Sequence, residues 1–501
     1  MDSSASEGLY LGFDVGTQAT KGVAVDAATA EVVARGGRSY GLIPGLPPGA
    51  AEQDPHTWVE AVREVAAQLL SAPGVDRARV RGIGVSGQQH GLVVLDANDR
   101  VGRPAKLWCD TTTTEEAEEL SHALGRAVPA GFTASKILWM KRHEPELWAR
   151  VRSVLLPHDY VNFRLTSHKT MEAGDASGTG IFDPLTRTFD AKAVEWIDPR
   201  LGDMLPPIIS PGSPAGVLSA EGAALLGLNE GVIVAAGGGD NMMSAIGSGA
   251  TSPGVVVVSI GTSGTAFVYS DRPVIDPEGL IAPFCDSTGG WLPLLCVMNM
   301  TGVTEEVRAA FQEQEEDIES LTRAAAGIPP GCDGLLFLPF LQGERVPDLP
   351  GATGVLVGIR PGLLRKGYLF RAALEGTSLS LGLGMERMKK LGIAVQSVRL
   401  VGGGSRNPLW REILADVLEV PVVRLAEPES AALGAALQAL WTVCREAGQD
   451  VSADAVAAPF VRMEGETICA DATRSAIYRD ARSRFRELTE RIFPRYPVQI
   501  P

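Results

Sequence analysis

Short apolar runs and longer amphipathic stretches alternate along this chain, and a few of the runs end in clusters of glycine and hydroxyl residues. Leu9-Tyr10-Leu11-Gly12-Phe13 and Gly22-Val23-Ala24-Val25 are joined by Asp14, Gly16, Thr17, Thr20 and Lys21, which predicts a β-hairpin with a polar tip. The same plan returns over 255–269, where Gly261, Thr262, Ser263 and Gly264 join two apolar strands. Two such hairpins far apart predict a duplicated architecture. Between them, 31–34 reads as a strand, and apolar Trp58, Ala61, Val62, Val65, Ala66 and Leu69 predict a helix over 55–70 with Asp54 as N-cap. A buried strand over 80–85 leads into Ser86-Gly87-Gln88-Gln89-His90 and a second strand over 92–95, so Gln89 and His90 fall at a strand end.

The second half continues the pattern. The run 232–236 ends in Gly237-Gly238-Gly239-Asp240-Asn241, and the strand 398–401 ends in Gly402-Gly403-Gly404, followed by a helix over 409–418 whose first N–H groups are unpaired. Helices are predicted over 365–388 and 430–444. A closing amphipathic helix over 474–492 has Ile477, Ala481, Phe485, Leu488 and Ile492 on its packed face. The flexible cluster 247–254 predicts a boundary, giving domains over 8–247 and 255–445 and an extension over 446–501.

Composition narrows the function. At 501 residues and 45% apolar, the chain is long enough for two cores. A formal charge of −15, without basic tracts, argues against a nucleic-acid or anionic-membrane partner. Positive charge for a phosphate must then be local. Six scattered cysteines without Cys-x-x-Cys spacing read as reduced thiols of a cytoplasmic protein. Residues 1–7 lack the basic and apolar regions of a secretory signal, and 288–304 is too interrupted by Gly and Pro for a membrane span.

Asp240, behind three glycines, is placed as a catalytic base would be; the plain alternative is the N-cap of a helix starting near Met242. At the hairpin tips, backbone N–H groups and threonine hydroxyls can receive phosphate oxygens, Lys21 can add a point charge, and Asp14 can hold a hydrated Mg²⁺. The glycines at 402–404 would let a purine nucleoside lie against backbone, or form an ordinary strand-to-helix turn. Gly82-x-Gly84-x-x-Gly87 fits the dinucleotide pattern, but its glycines lie within a strand and another strand follows, against a Rossmann site. A P-loop is absent, and of the six histidines only His90 has a site-like context.

The order Asp14-x-Gly16-Thr17, Gly238-Gly239-Asp240, Gly261-Thr262, Gly402-Gly403-Gly404 resembles the FGGY family of carbohydrate kinases, over about Leu9 to Leu440. Gly87-Gln88-Gln89-His90-Gly91, Leu107-Trp108-Cys109-Asp110, Gly131-Phe132-Thr133-Ala134-Ser135-Lys136, Leu156-Pro157-His158-Asp159-Tyr160, Asp175-Ala176-Ser177-Gly178-Thr179 and Gln342-Gly343-Glu344-Arg345 are similar to its xylulokinase branch. Gln89 and Cys109 depart from that branch, where Met and Asn are common. The resemblance implies an α/β, two-domain actin/Hsp70-like ATPase (ribonuclease H-like) fold with an interdomain cleft. It implies ATP and Mg²⁺ as cofactors, a small sugar as partner, and a homodimer. The expected reaction is phosphorylation of a ketopentose, D-xylulose first, with ribulose and ribitol as alternatives.

The roles implied are Asp240 as base, Gln89, His90, Asp240 and Asn241 on the sugar hydroxyls, and Asp14 on the metal. Thr17, Lys21, Gly261 and Thr262 are expected on the phosphates, and Gly403, Gly404 and Asn407 beside the adenosine. The competing class is a chaperone or filament-forming ATPase of the same fold. Such a protein would keep Asp14, the hairpins and the 402–404 loop, but would not need Gly239-Asp240-Asn241 beside Gln89-His90.

Overall fold

The structure is a computed structural model that describes residues 3–311 and 316–494, so the end of the extension expected over 446–501 lies outside the described residues. The first half of the chain contributes β1 (Leu9–Val15), β2 (Ala19–Asp26), β3 (Glu31–Ser39), α1 (Pro55–Leu70), β4 (Val80–Gly87), α2 (Pro157–Thr166), β5 (Pro214–Val217), β6 (Ile233–Ala235), β7 (Gly238–Gly239) and α3 (Asp240–Gly247). Its strands form one seven-stranded sheet in the order β5-β6-β4-β1-β2-β3, with β7 also paired to β4. The second half contributes β8 (Gly254–Ile260), β9 (Gly264–Val268), β10 (Ala282–Cys285), β11 (Trp291–Val297), α4 (Lys366–Lys390), β12 (Val395–Val401), α5 (Pro408–Leu418), β13 (Val422–Leu425), α6 (Ser430–Glu446), β14 (Met463–Ile468) and α7 (Ala472–Ile492). Its strands form a second seven-stranded sheet, β10-β11-β9-β8-β12-β13-β14.

Both sheets have the same kernel. An antiparallel hairpin, β1 with β2 or β8 with β9, runs alongside a parallel strand, β4 or β12. This is the duplication expected from the two hairpins. Side-chain alternation then sets the layers. From β1, Leu9, Leu11, Phe13 and Val15 face a core with Trp58 and Val62 of α1 and Tyr160 of α2, while Tyr10 points the other way. From β8, Val256, Val258 and Ile260 face a core with Phe370 of α4, Trp410 of α5 and Phe485 of α7, while Val257 points the other way. Tyr10 and Val257 meet in one shared cluster built on α3 and α6. Helices α3 and α6 therefore form the layer between the two sheets.

Glycine makes that middle layer possible. A Cβ on Gly84 would lie 1.9 Å from the Ala435 carbonyl oxygen of α6, and one on Gly434 of α6 would lie 1.7 Å from the Met243 carbonyl oxygen of α3. Backbone meets backbone there, so no side chain fits. This accounts for Gly84 in the Gly82-x-Gly84-x-x-Gly87 run, which lies entirely within β4; at Gly87 a Cβ would instead lie 2.9 Å from His158 Cβ of α2.

Helix α1 has the predicted bounds, and Asp54 caps it by accepting from His56 N. Three expectations change. The strand near 92–95 is Val93–Leu95 and pairs with Ser153–Leu155, outside the large sheets. On α7, Ile477 and Ile492 are 39% and 40% exposed, and the buried stripe is Ser475, Tyr478, Ala481, Phe485 and Thr489. The stripe turns because the hydroxyl of Tyr478 is satisfied inside, donating to Glu375 Oε1 at 2.8 Å and accepting from Arg371 Nη2 at 3.1 Å. Finally, the N-cap of α3 is Gly239; Asp240 is its first helical residue. Among the described residues, no helix is long and apolar enough to cross a membrane.

Candidate functional site

The residues singled out in the sequence cluster at the C-terminal ends of parallel strands, where open α/β sheets bind ligands. Asp14 lies near the end of β1, Gln89 and His90 follow β4, and Asp240 and Asn241 follow β7. Asp240 Oδ1 accepts from the Asn241 backbone N at 2.7 Å and from Asn241 Nδ2 at 2.9 Å. That same Nδ2 donates to Gln89 Oε1 at 3.0 Å. Burial, then the charge of Asp14 and that of Asp175, push the Asp240 carboxyl up to about 7, against the two donations from Asn241. A carboxylate so tuned can take a proton near neutral pH.

His90 stands in the left-handed region at φ 66°, which turns its ring out of the line of β4. The ring stacks on Phe132 at 4.6 Å between centroids, with Phe284 at 6.1 Å. Burial, then the charge of Lys136, lower its pKa to about 3, so the imidazole is neutral.

On the first hairpin, Asp14 Oδ1 accepts from Ser86 Oγ at 2.7 Å. Its carboxyl is pushed up, first by burial and also by Glu429, while Ser86 and Lys21 oppose. Lys21 lies across the hairpin from Asp14, but its Nζ is 2.9 Å from Glu429 Oε2 in the second half. A half-buried carboxylate held in this way fits a divalent cation. Among the described residues no group of three or more His, Cys, Asp or Glu is placed to hold a metal. One carboxylate, with phosphate oxygens and water completing the shell, suits Mg²⁺. The Thr17 hydroxyl donates to Gln88 Oε1 at 2.9 Å and accepts from Trp108 Nε1 at 3.0 Å, so its side chain is committed to the protein.

On the second hairpin, Gly261 N donates to Ser263 O at 3.0 Å and Thr262 is exposed at the tip. The loop after β12 departs from the expected direct run into a helix, because Gly403–Arg406 form one 3-10 turn first. Gly403 faces open space and Gly404 packs on Ile260. The first N–H groups of α5 are not all free: Asn407 Oδ1 accepts from Trp410 N at 3.1 Å, and Asn407 Nδ2 donates to Thr322 Oγ1 at 2.9 Å. Thr322, Pro408 and Leu409 line a cavity of about 390 Å³ beside it. A second cavity, about 400 Å³ between α4 and α7, lies away from all of these residues.

The two halves meet at Asn241, whose Oδ1 accepts from Thr265 Oγ1 of β9 at 3.2 Å. Thr265, Ser86 and Asp175 were not singled out for chemistry in the sequence. Thr265 follows the Gly-Thr pair that was, and Asp175 opens a segment quoted only for its resemblance. His158, set aside as structural or solvated, is buried between Asp159 and Asp175.

Known proteins resemble the chain over nearly all its length. Residues 9–247 match the N-terminal domain of the FGGY family of carbohydrate kinases, and residues 256–443 match its C-terminal domain. The xylulose kinase of Haemophilus influenzae is 40% identical over 449 residues, 86% of this chain and 90% of that one. Among solved structures, the xylulose kinase from Rhodospirillum rubrum is 29% identical with a TM-score of 0.87, covering 97% of this chain and 99% of its own. A gluconate kinase from Lactobacillus acidophilus is 25% identical with a TM-score of 0.89 over the same shares of the two chains.

Proposed function

Because the chain belongs to the FGGY family of carbohydrate kinases, we propose that it transfers the γ-phosphoryl group of ATP to D-xylulose, giving D-xylulose 5-phosphate. The observation that carries this reading is Asp240: a half-buried carboxylate with its pKa near 7, fixed by Asn241 and joined through it to Gln89. A chaperone-like ATPase has no use for such a base beside the amides of Gln89 and Asn241. The choice of D-xylulose is supported by the xylulose kinases among the relatives.

Asp240 takes the proton of the C5 hydroxyl as that oxygen attacks the γ-phosphorus, and ADP leaves in line. Gln89, neutral His90 and Asn241 supply donors and acceptors for the remaining hydroxyls. Sugars lacking a hydroxyl are then rejected, because buried polar groups would be left unpaired. The phosphates lie against the tips of the two hairpins, with the backbone N–H groups of Thr17 and Thr262 as donors, while those of Gly16 and Gly261 brace the tips by donating to Ala19 O and Ser263 O. The Thr17 hydroxyl stays with Gln88 and Trp108, and the charge of Lys21 is largely offset by its pairing with Glu429. Gly403, Gly404 and Asn407 border the adenosine. Mg²⁺, when bound at Asp14, neutralises charge on the phosphates. Closure of the two halves around both substrates excludes water from the phosphoryl group.

The test is ADP release with Mg·ATP across D-xylulose, L-xylulose, D- and L-ribulose, ribitol, glycerol and gluconate. Turnover is expected to be strongest on D-xylulose. Asp240→Asn should lower it by about 10²- to 10⁴-fold. ADP release indifferent to every sugar would instead mark a non-kinase ATPase.

A further inference from the structure

Behind Gln89 lies a group of buried charges that the transfer reaction itself does not require. Asp159, Glu172 and Asp175 surround His158, and all four are at most 3% exposed. His158 Nδ1 is 2.7 Å from Asp175 Oδ2, and its Nε2 is 3.0 Å from Asp159 Oδ1. Glu172 accepts from Gly174 N at 2.8 Å and from Ser287 Oγ at 3.1 Å. Apolar residues of similar volume would hold such a position at least as well, since desolvating charges offsets much of their attraction. Packing alone therefore does not account for the cluster.

The cluster is connected to the proposed base by an unbroken line of polar contacts. Gln89 Nε2 points at Asp175 Oδ1 at 3.5 Å, and Gln89 Oε1 accepts from Asn241 Nδ2, which also donates to Asp240 Oδ1. A carboxamide can sit either way round, but a carboxylate only accepts. Asp175, fixed by His158, draws the NH₂ end of Gln89 toward itself. The carbonyl end of Gln89 must then face Asn241, which must present its own NH₂ and so directs it at Asp240. Thr265 Oγ1 takes up the remaining oxygen of Asn241.

We infer that Asp175, locked by the buried His158, is a positioning residue that orients Gln89 and through it Asn241 against Asp240. The inference rests on Asp240 being the base. Gln89 is the link, and a methionine at that place has no amide to pass the orientation on.

The experiment is a double-mutant cycle of Gln89→Met and Asp175→Asn on the full chain. Kinetics are measured with the preferred sugar varied at saturating Mg·ATP, then with Mg·ATP varied. Each single change should lower kcat/KM for the sugar about tenfold and leave KM for Mg·ATP within about twofold. The double variant should be no worse than the poorer single one, because both break the same line. Losses that multiply, to about a hundredfold, would show that Asp175 acts independently of Gln89 and would overturn the relay. Gln89→Met without loss would overturn it too, whether or not Asp175→Asn folds. Asp240→Asn retaining full turnover would remove the base assignment instead, while the coupling between residues 89 and 175 could still be read.

Discussion

A carboxylate taken out of water and set near other carboxylates keeps its proton to higher pH, and Asp240 is in that position. In the proposed role of base, its ionised form is the active one. As pH falls through about 7 the base is protonated, so kcat/KM for the sugar should fall about tenfold per pH unit below that point. A profile from pH 5 to 8 checks this, and a flat profile across that range would deny Asp240 the role. The two site histidines illustrate the same electrostatics with opposite outcomes. Desolvation acts against the charged form of both, yet His90 is lowered to about 3, while His158 is raised to about 9 because Asp159, Asp175 and Glu172 outweigh its burial. Asp240 was legible in the sequence because glycines and an apolar run single it out. The His158 cluster was not. Its members come from separated segments whose spacing matches no motif, and only the fold brings residues 89, 158, 172 and 175 together.

Among elements, legibility followed periodicity. Helix α1 could be read to the residue because its apolar positions, proline and capping Asp54 agree. Helix α7 was found, but its packed face was misjudged: a buried tyrosine with partners at Arg371 and Glu375 outweighed two isoleucines. The glycines of β4 were the hardest to interpret, since a dinucleotide loop and a helix pressed on a strand both call for glycine. Their role here is contact. Gly84→Ala forces a methyl group against the Ala435 carbonyl, 1.9 Å away. A backbone cannot step aside as a side chain does, so the cost should reach about 3 kcal/mol or more. Urea unfolding measures it, and an unchanged midpoint would mean that α6 is free to move outward.

For the whole molecule, the sequence foretold two related halves but not how they are joined. Besides the middle helices, ion pairs cross between them: Arg35 with Glu427 at 2.6 Å and Lys21 with Glu429 at 2.9 Å. The second pair is 49% and 23% exposed, so its loss should change stability by no more than about 1 kcal/mol. Its functional effect should be larger. Glu429→Gln removes a negative charge near Asp14 and frees Lys21, so KM for Mg·ATP should fall by roughly two- to fivefold, and less at high salt. A KM that rises would mean that the bridge itself holds the nucleotide-binding arrangement.

Helix α6 follows all but the last strand of the second half in the chain, yet it lies directly against β1 and β4 of the first. The first half is thus synthesised long before the element that covers it. Until residues 430–446 have left the ribosome, one face of the earliest sheet stays uncovered, and its folding must wait or be sheltered. A chain cut before Ser430 would keep every strand of its first half and still lack that half's inner wall.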